Sequence, residues 1–308
     1  MKALVTGGAG FIGSHIVDKL IDMGHHVAIV DNLTSGKKEN INSKATFYEN
    51  DICDESLGDI FEKEKPNIVF HLAAQMDVRF SVKHPKFDAE QNILGSINLI
   101  ENCRKHLVDK ILFASTGGAI YGEQDTFPAD ESHLQNPVSP YGIAKLSVEK
   151  YLYYYYHEYG LKYVSLRYAN VYGPRQNSKG EAGVVAIFVS KMLSGEQPII
   201  FGDGKQTRDF VYVDDVVQFN ILSAEKDVVG IFNVGTSVET DINQIFHLVR
   251  SSSHSNCEEV HGEGQPGEQR RSVITFDKAF QVLGYKPSTI LQDGIEKTVS
   301  WFRDKIKG

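Results

Sequence analysis

The chain has 308 residues, and 41% of them are hydrophobic, which is enough to bury the core of one large domain or two ordinary ones and excludes a disordered chain. Its 32 basic and 40 acidic residues give a net charge of -8, which argues against nucleic acid as a partner. The three cysteines, Cys53, Cys103 and Cys257, have spacings that suit neither a disulfide framework nor a zinc site, so we expect no metal.

The first segment, Met1 to Thr6, leads directly into an apolar strand and a glycine cluster, without the charged and apolar regions of a secretory signal. A membrane-spanning helix needs about 18 or more consecutive apolar residues, and the sequence contains no such run. We therefore expect a cytoplasmic protein.

Short apolar runs alternate with helix-length stretches, such as Ile12 to Met23, through the first half of the chain. The predicted strands are Lys2 to Thr6, Val27 to Val30, Ile68 to Leu72, Lys110 to Ala114 and Tyr163 to Leu166. Continuous apolar strands are typical of a parallel sheet that is covered on both faces. With right-handed crossovers, this alternation predicts an α/β fold with a doubly wound parallel sheet of the Rossmann type.

After about Tyr168 the regular alternation weakens, and the chain becomes rich in loop residues. We expect a first domain of residues 1–168 and a smaller, partly discontinuous C-terminal substrate lobe of residues 169–210 and 238–308. Two apolar runs, Val211 to Val213 and Ile231 to Val234, are expected to rejoin the large sheet, so that about 211–237 returns to the first domain.

A glycine cluster, Gly7 to Gly13, lies between the first predicted strand and the first predicted helix. Glycines allow a tight turn there, and the helix N-terminus offers free N–H groups to a pyrophosphate. Asp31 ends the second predicted strand, where a carboxylate accepts hydrogen bonds from a ribose 2′-hydroxyl and repels a 2′-phosphate. The pattern favours NAD as cofactor, although Lys37 and Lys38 nearby leave NADP as the alternative.

Tyr141 and Lys145 have the spacing that places two side chains on one face of a helix. An adjacent ammonium and a positive nicotinamide ring would both favour the phenolate, and lowering the phenol pKa by about three units corresponds to about 4 kcal/mol. The predicted catalytic residues are therefore Tyr141 and Lys145. A strand-end hydroxyl completes the set; Thr116 is preferred, with Ser115 as the alternative.

Together, these motifs resemble the extended short-chain dehydrogenase/reductase superfamily, and within it the UDP-glucose (UDP-galactose) 4-epimerases. The resemblance covers nearly the whole chain and implies a homodimer with NAD as cofactor. The expected cofactor contacts, including small or polar residues at strand ends, are Gly7, Gly10, Phe11, Ile12, Gly13, Asp31, Asn32, Asp51, Ile52, Leu72, Ala73, Ala74, Asn92, Tyr141 and Lys145. The resemblance implies substrate contacts at Asn170, Ile199, Phe201, Arg208, Glu268, Arg270 and Ser272.

Some positions depart from the family pattern. Gly117 and Gly118 make the loop after Thr116 one residue longer than in the commonest family pattern. Gln265 occupies a position where these enzymes often have an arginine, and Arg270 is expected to replace the charge of that arginine. Ser272 occupies a place where glucose-restricted members have a bulky residue. The resemblance therefore implies a sugar pocket with room for an N-acetyl group.

The implied function is the NAD-dependent 4-epimerisation of a UDP-sugar through a transient 4-keto intermediate, with Tyr141 moving the hydroxyl proton. The sugar stays open between glucose, an N-acetylhexosamine and a uronic acid. The first alternative is a nucleotide-sugar 4,6-dehydratase or decarboxylase, which usually carries acids where this chain has Gly117 and Gly118. A non-catalytic NAD-sensing protein is a more remote alternative, because it would not need the Tyr141 and Lys145 pair.

Overall fold

The computed structural model describes residues 1–178, 183–264 and 269–307. The strands of the described chain are β1 Lys2–Thr6, β2 His26–Asp31, β3 Thr46–Glu49, β4 Ile68–His71, β5 Lys110–Thr116, β6 Lys162–Tyr168, β7 Asn170–Tyr172, β8 Ile200–Phe201, β9 Thr207–Tyr212, β10 Gly230–Val234, β11 Glu239–Asp241, β12 His261–Gly262 and β13 Arg271–Ser272.

The α-helices are α1 Phe11–Asp22, α2 Leu57–Glu64, α3 Val78–Lys83, α4 Pro85–Ala89, α5 Gly95–Lys105, α6 Gly117–Ile120, α7 Pro140–Tyr159, α8 Val184–Leu193, α9 Val213–Glu225, α10 Ile242–Ser253, α11 Asp277–Leu283 and α12 Leu291–Lys307. A single turn of π-helix, Glu90–Leu94, joins α4 to α5. None of the helices in the described chain is long and apolar enough to cross a membrane.

Seven parallel strands form the large sheet, in the order β10-β6-β5-β4-β1-β2-β3. One apolar cluster packs α1, α9 and α11 on one face, and a second packs α2, α5 and α7 on the other. The sheet is therefore doubly wound, which confirms the predicted fold class. Strand β3 was not predicted; its four residues lie at the sheet edge and are not fully buried.

A smaller lobe follows β6. β9 pairs with β7, β11 and β13, and a separate pair is formed by β8 and β12. A third apolar cluster packs α8, α10 and α12 against this small sheet. The prediction for Ile231 to Val234 is confirmed, because β10 joins the large sheet. The prediction for Val211 to Val213 is wrong: these residues end β9 of the small sheet and begin α9, which is the element that returns to the large sheet.

Helix α7 has clear start and stop signals. Ser139 precedes it, and its hydroxyl accepts a hydrogen bond from the Gly142 N–H at 3.2 Å, while Pro140 occupies the first turn, where a missing N–H costs nothing. Gly160 ends the helix with a φ of 73°, in the left-handed region that glycine adopts most easily. These signals place Tyr141 in the first turn of α7, next to the carboxyl end of the large sheet.

Candidate active site

The glycine turn between β1 and α1 is as tight as the sequence predicts. A Cβ at Gly13 would lie 2.2 Å from the Gly7 carbonyl oxygen, and a Cβ at Gly7 would lie 2.7 Å from the Ala73 nitrogen. Gly7 also has a φ of 70°. The turn, the start of α1 and the segment after β4 therefore meet so closely that side chains at Gly7 and Gly13 would clash with backbone. The result is a backbone-lined recess at the N-terminus of α1, where first-turn N–H groups have no intrahelical partner.

Asp31 lies at the carboxyl end of β2 beside this turn. Its carboxylate accepts hydrogen bonds from the Ala9 N–H at 3.0 Å and from the Leu33 N–H at 2.9 Å. Burial raises the pKa of Asp31, and these two backbone hydrogen bonds oppose the rise. Each carboxylate oxygen has a second lone pair, so Asp31 keeps capacity to accept a further hydroxyl.

The other predicted cofactor contacts surround the same edge. The Asn32 amide donates to Asp51 at 2.7 Å, and Ile52 is buried. The Asn92 side chain is already fully engaged: it accepts from the Gln75 N–H and donates to the Gln75 carbonyl and to Asp88. In the chain itself, Asn92 thus holds the segment that follows Ala73 and Ala74.

The structure brings Tyr141 and Lys145 together on one face of α7. The Lys145 Nζ lies 5.7 Å from the centre of the Tyr141 ring and donates a hydrogen bond to the Ala114 carbonyl of β5 at 2.9 Å. A Cβ at Gly142 would lie 2.7 Å from the Ala119 carbonyl oxygen, so glycine is needed for α7 to approach α6. The predicted pair is thereby fixed against the end of β5.

Electrostatics around the pair differ from the expectation. Burial, with the negative charge of Asp88 as a second cause, raises the pKa of Tyr141. Burial also lowers the pKa of Lys145 to about 8, although the charges of Asp88 and Glu149 oppose this. The chain by itself therefore favours the phenol of Tyr141, and the expected lowering of its pKa requires a further positive charge beside the ring.

The two strand-end hydroxyls, Ser115 and Thr116, lie on opposite sides of β5. The Ser115 hydroxyl is buried and donates to Glu149 at 2.6 Å inside the core, which favours Thr116 over Ser115 as the catalytic hydroxyl; that choice stays a prediction. Successive side chains of a strand point to opposite faces, and Thr116 is half-buried on the other side. Within the described residues, the Thr116 hydroxyl has no hydrogen-bond partner.

The loop after Thr116 brings the two lobes together. A Cβ at Gly118 would lie 3.9 Å from the Thr116 hydroxyl and 4.0 Å from the Asn170 amide oxygen, so these two polar groups face one point. A Cβ at Gly117 would lie 2.6 Å from Ile274, which fills the space that a side chain there would need. Gly117 and Gly118 form the first half of the short helix α6.

The predicted substrate contacts of the small lobe lie on two of its strand pairs. Arg208 of β9 is in register with buried Ser272 of β13, and its guanidinium donates to the Thr207 carbonyl at 2.7 Å. Ile199, which precedes β8, and Phe201, which ends it, have exposed side chains. Arg270 forms a two-fold ion pair with Asp203, at 2.8 and 2.9 Å.

Glu268 and Gln265 lie outside the described residues. Their predicted positions near the substrate, like the contacts of Arg208, Ser272 and Arg270 with a sugar nucleotide, stay predictions. In the parts of the chain that the structure describes, no group of histidine, cysteine and acidic side chains is placed to hold a metal ion.

A model of the NAD dependent epimerase/dehydratase family matches residues 3–235. The chain belongs to this family. A putative UDP-glucose 4-epimerase of Methanocaldococcus jannaschii is 48% identical over 303 residues, with 98% of each chain covered.

Solved structures of family members superpose closely on the chain. The UDP-glucose 4-epimerase of Thermotoga maritima, crystallised with UDP-glucose, is 52% identical, with a TM-score of 0.98 and coverage of 99% of this chain and 100% of that one. The UDP-glucose 4-epimerase of Thermus thermophilus, in complex with NAD, is 44% identical, with a TM-score of 0.93 and coverage of 98% and 99%.

The chain fits the family's cofactor. The backbone recess at Gly7 to Gly13 would admit a pyrophosphate only because no side chains project into it, and Asp31 would accept the ribose hydroxyl beside it. Lys145 and Tyr141 would flank the nicotinamide end of the same edge. NAD is the cofactor of this epimerase/dehydratase family member.

Sequence reasoning missed several polar residues behind the site. Gln75 belongs to the segment after β4, and Asp88 accepts hydrogen bonds from Gln75 and Asn92. The Ser81 hydroxyl accepts a hydrogen bond from the Tyr141 N–H at 3.3 Å. Single polar residues in loops and short helices form no sequence pattern that would mark them as part of a site. Only the packing of the chain shows that these residues lie together.

Proposed function

We propose that this chain is an NAD-dependent UDP-sugar 4-epimerase, with UDP-glucose and UDP-galactose as substrates and with room for their N-acetylated counterparts. The observation that carries this proposal is the set of groups at the carboxyl end of β5. Tyr141 and Lys145 are held against this strand end, and the free Thr116 hydroxyl and the Asn170 amide face one point beside it.

Each of these residues is positioned for one part of the epimerisation reaction. Tyr141 takes the proton of the sugar C4 hydroxyl and later returns it, and Thr116 holds that hydroxyl in line. Lys145 favours the phenolate by its charge and binds the nicotinamide ribose. NAD, when bound, supplies hydride transfer at C4 in both directions.

Epimerisation also needs the 4-keto sugar to present its opposite face. That requires a firm grip on the nucleotide and diphosphate and a loose sugar pocket. Arg208 and Asn170 are assigned to the diphosphate, with Glu268 and Arg270 near the ribose and phosphate, and Phe201 and Ile199 to the uracil face. In this proposal, residues 1–168 and about 211–237 bind the cofactor, and 169–210 and 238–308 bind the sugar nucleotide.

The alternative of a 4,6-dehydratase or decarboxylase has less support. Such enzymes need a carboxylate to move protons beyond C4. Gly117 has no space for a side chain because Ile274 occupies it, and Gly118 places only the Thr116 hydroxyl and the Asn170 amide in reach.

The test is incubation of the purified protein with UDP-glucose, UDP-galactose, UDP-N-acetylglucosamine and UDP-glucuronate, with the products identified by NMR. Inversion at C4 without net change in NAD is expected for the first three. Loss of water or carbon dioxide from the sugar would contradict the proposal and favour the alternative. Homodimer formation and a cytoplasmic location stay predictions.

A further inference from the structure

Asp88 is the buried acid that the epimerisation scheme does not use. Its side chain is fully buried in α4, immediately before the π-helical turn at Glu90–Leu94. One carboxylate oxygen accepts hydrogen bonds from Gln75 at 2.8 Å and from Asn92 at 2.9 Å. The other oxygen has no hydrogen-bond partner. A buried carboxylate oxygen without a partner costs free energy, so its position in the fold needs an explanation.

The hydrogen bonds of Asp88 lead to the cofactor recess. Gln75 follows Ala73 and Ala74, and the Ala73 nitrogen is the atom that a Cβ at Gly7 would approach to 2.7 Å. The side-chain NH₂ of Gln75 also donates to the Asp77 carbonyl, and its amide oxygen accepts from the Asp77 N–H. Through Gln75, Asp88 and Asn92 therefore hold the segment after β4 from one side. A change at Asp88 would thus reach the wall of the recess.

The charge of the same carboxylate acts on the catalytic pair across the contact between α4 and α7. Helices α3 and α4 both pack against α7, and the Ser81 hydroxyl accepts from the Tyr141 N–H. The negative charge of Asp88 raises the pKa of Tyr141 and opposes the fall in the pKa of Lys145. In the described chain, the other ionisable groups coupled to this pair are Glu149 of α7, whose charge raises the pKa of Lys145, and His71 of β4. Burial and the charge of Lys145 lower the pKa of His71 to about 3, so His71 is uncharged.

We propose that Asp88 is a positioning residue of the epimerisation site, which holds the segment after β4 through Gln75 and supplies a buried negative charge next to the helix that carries Tyr141 and Lys145. This inference rests on the proposed function. Burial raises the pKa of Asp88, whereas the hydrogen bonds from Gln75 and Asn92 and the charge of Lys145 oppose that rise. When Asp88 is charged, it favours the protonated forms of both Lys145 and Tyr141.

The sign of the effect follows from the charge. Removing a negative charge weakens proton binding at every neighbouring group, so the pKa values of Tyr141 and Lys145 both fall. Both limbs of the pH profile of kcat then move towards acid together. A purely structural role would change the affinity for NAD and the size of kcat, but it would leave the profile where it is.

The test compares three variants of the NAD-loaded protein. Asp88→Asn removes the charge but keeps an oxygen that accepts from Gln75 and Asn92. Asn92→Ala loosens the same segment without removing a charge. Glu90→Gln is the matched control, because it removes one negative charge from an exposed neighbouring position, where water screens it.

Two measurements are made on each variant: the pH profile of kcat, and the titration of Tyr141 in protein labelled with [13Cζ]tyrosine. The Tyr141 signal is assigned by its absence in Tyr141→Phe. In Asp88→Asn, we expect the midpoints of the kcat profile and the midpoint of the Tyr141 titration to fall by about half a pH unit or more. In Asn92→Ala and Glu90→Gln, these midpoints should stay within about 0.2 pH units of wild type. NAD affinity should fall in Asn92→Ala.

The inference would be overturned if Tyr141 of Asp88→Asn titrated as in wild type. It would also be overturned if Asp88→Asn matched Asn92→Ala in the pH profile, the Tyr141 titration and the NAD affinity. If Asp88→Asn does not fold, Asp88→Ser removes the charge with a smaller side chain, and the same shift is expected. If the wild-type protein epimerises no UDP-sugar, the proposed function fails, whereas the NMR titration still decides the role of Asp88.

Discussion

At the scale of single residues, Tyr141 is the group whose loss is expected to stop the chemistry while leaving the structure intact. Its hydroxyl makes no hydrogen bond among the described residues, and its backbone is held by Ser81 and by the α7 start. Tyr141→Phe should lower kcat by about 10²- to 10⁴-fold with NAD affinity and thermal stability unchanged. Steady-state kinetics and a melting curve check this, and retention of more than about a tenth of the activity would contradict the role.

Asp31 is expected to set the preference for NAD over NADP. Asp31→Ala removes the acceptor for the ribose 2′-hydroxyl and relieves repulsion of a 2′-phosphate. The change also frees the Ala9 N–H, which loosens the glycine turn for both cofactors. The ratio of the two dissociation constants, measured by calorimetry, is therefore the informative quantity. It should move towards NADP by about 10-fold or more, and an unchanged ratio would refute the assignment.

Ser272 is the residue at which substrate breadth is expected to be decided. It is 4% exposed and lies in register with Arg208. Ser272→Tyr should depress kcat/KM for UDP-N-acetylglucosamine far more than for UDP-glucose, since the ring fills space that only the larger sugar needs. Ser272→Ala, the matched control, should change neither. Because the site is buried, a melting curve accompanies the kinetics, and an equal loss with both sugars would exclude Ser272 as the gate.

At the scale of elements, a buried ion pair ties α7 to the sheet. Arg167 of β6 and Glu149 of α7 are both fully buried and form two hydrogen bonds, of 2.7 and 3.0 Å. Glu149 also accepts from Ser115, and Arg167 donates to Tyr121 at 2.9 Å. The network thus fixes β5, β6 and α7 at the turn that follows Lys145.

Breaking this pair should cost more than removing it. Glu149→Leu alone leaves the Arg167 charge buried without its partner, and we expect a loss of about 3–5 kcal/mol in the free energy of unfolding. The double variant Glu149→Leu with Arg167→Met should lose less than the sum of the two single changes. Urea unfolding measures all three. A single variant within about 1 kcal/mol of wild type would show that the pair does not hold α7.

The elements also show what local sequence can and cannot predict. Apolar runs indicated β1 and α1, and the spacing of Tyr141 and Lys145 indicated the helix that is α7, because these signals lie within a few residues. The same signals could not show that Val211 belongs to a strand of the small sheet, because an apolar run does not indicate which sheet it joins. β3 was missed because an edge strand with half-buried side chains has a weak pattern.

The candidate site, like the fold, was predictable only where the signal lies within a short stretch of sequence. Strand alternation combined with the burial of Ser115 would have selected Thr116, but burial is known only from the fold. Asp88 could not be found, because its importance comes from contacts with Gln75, Asn92 and α7 that are distant in sequence or carried by different helices.

At the scale of the whole molecule, α7 presents a surface that one protomer does not cover. Ile143 and Tyr154 are 51% and 48% exposed and lie on the side of α7 that faces away from the sheet. Leu94, which directly precedes α5, is 59% exposed. Apolar surface of this kind on two neighbouring helices is typical of an interface, and a two-fold axis would bring the two helices against their copies.

We therefore expect a homodimer at micromolar concentration, through α5 and α7. Tyr154→Glu would bury two unpaired carboxylates in a symmetric interface, so light scattering should show a shift to monomer while circular dichroism stays unchanged. Val238→Glu is the control, since Val238 is 58% exposed in the loop between β10 and β11, and it should leave the mass of the particle as in wild type. A monomeric wild-type protein at that concentration would contradict the prediction. A dimer that survives Tyr154→Glu but not Val238→Glu would place the interface on the small lobe instead, away from the helix that carries Tyr141.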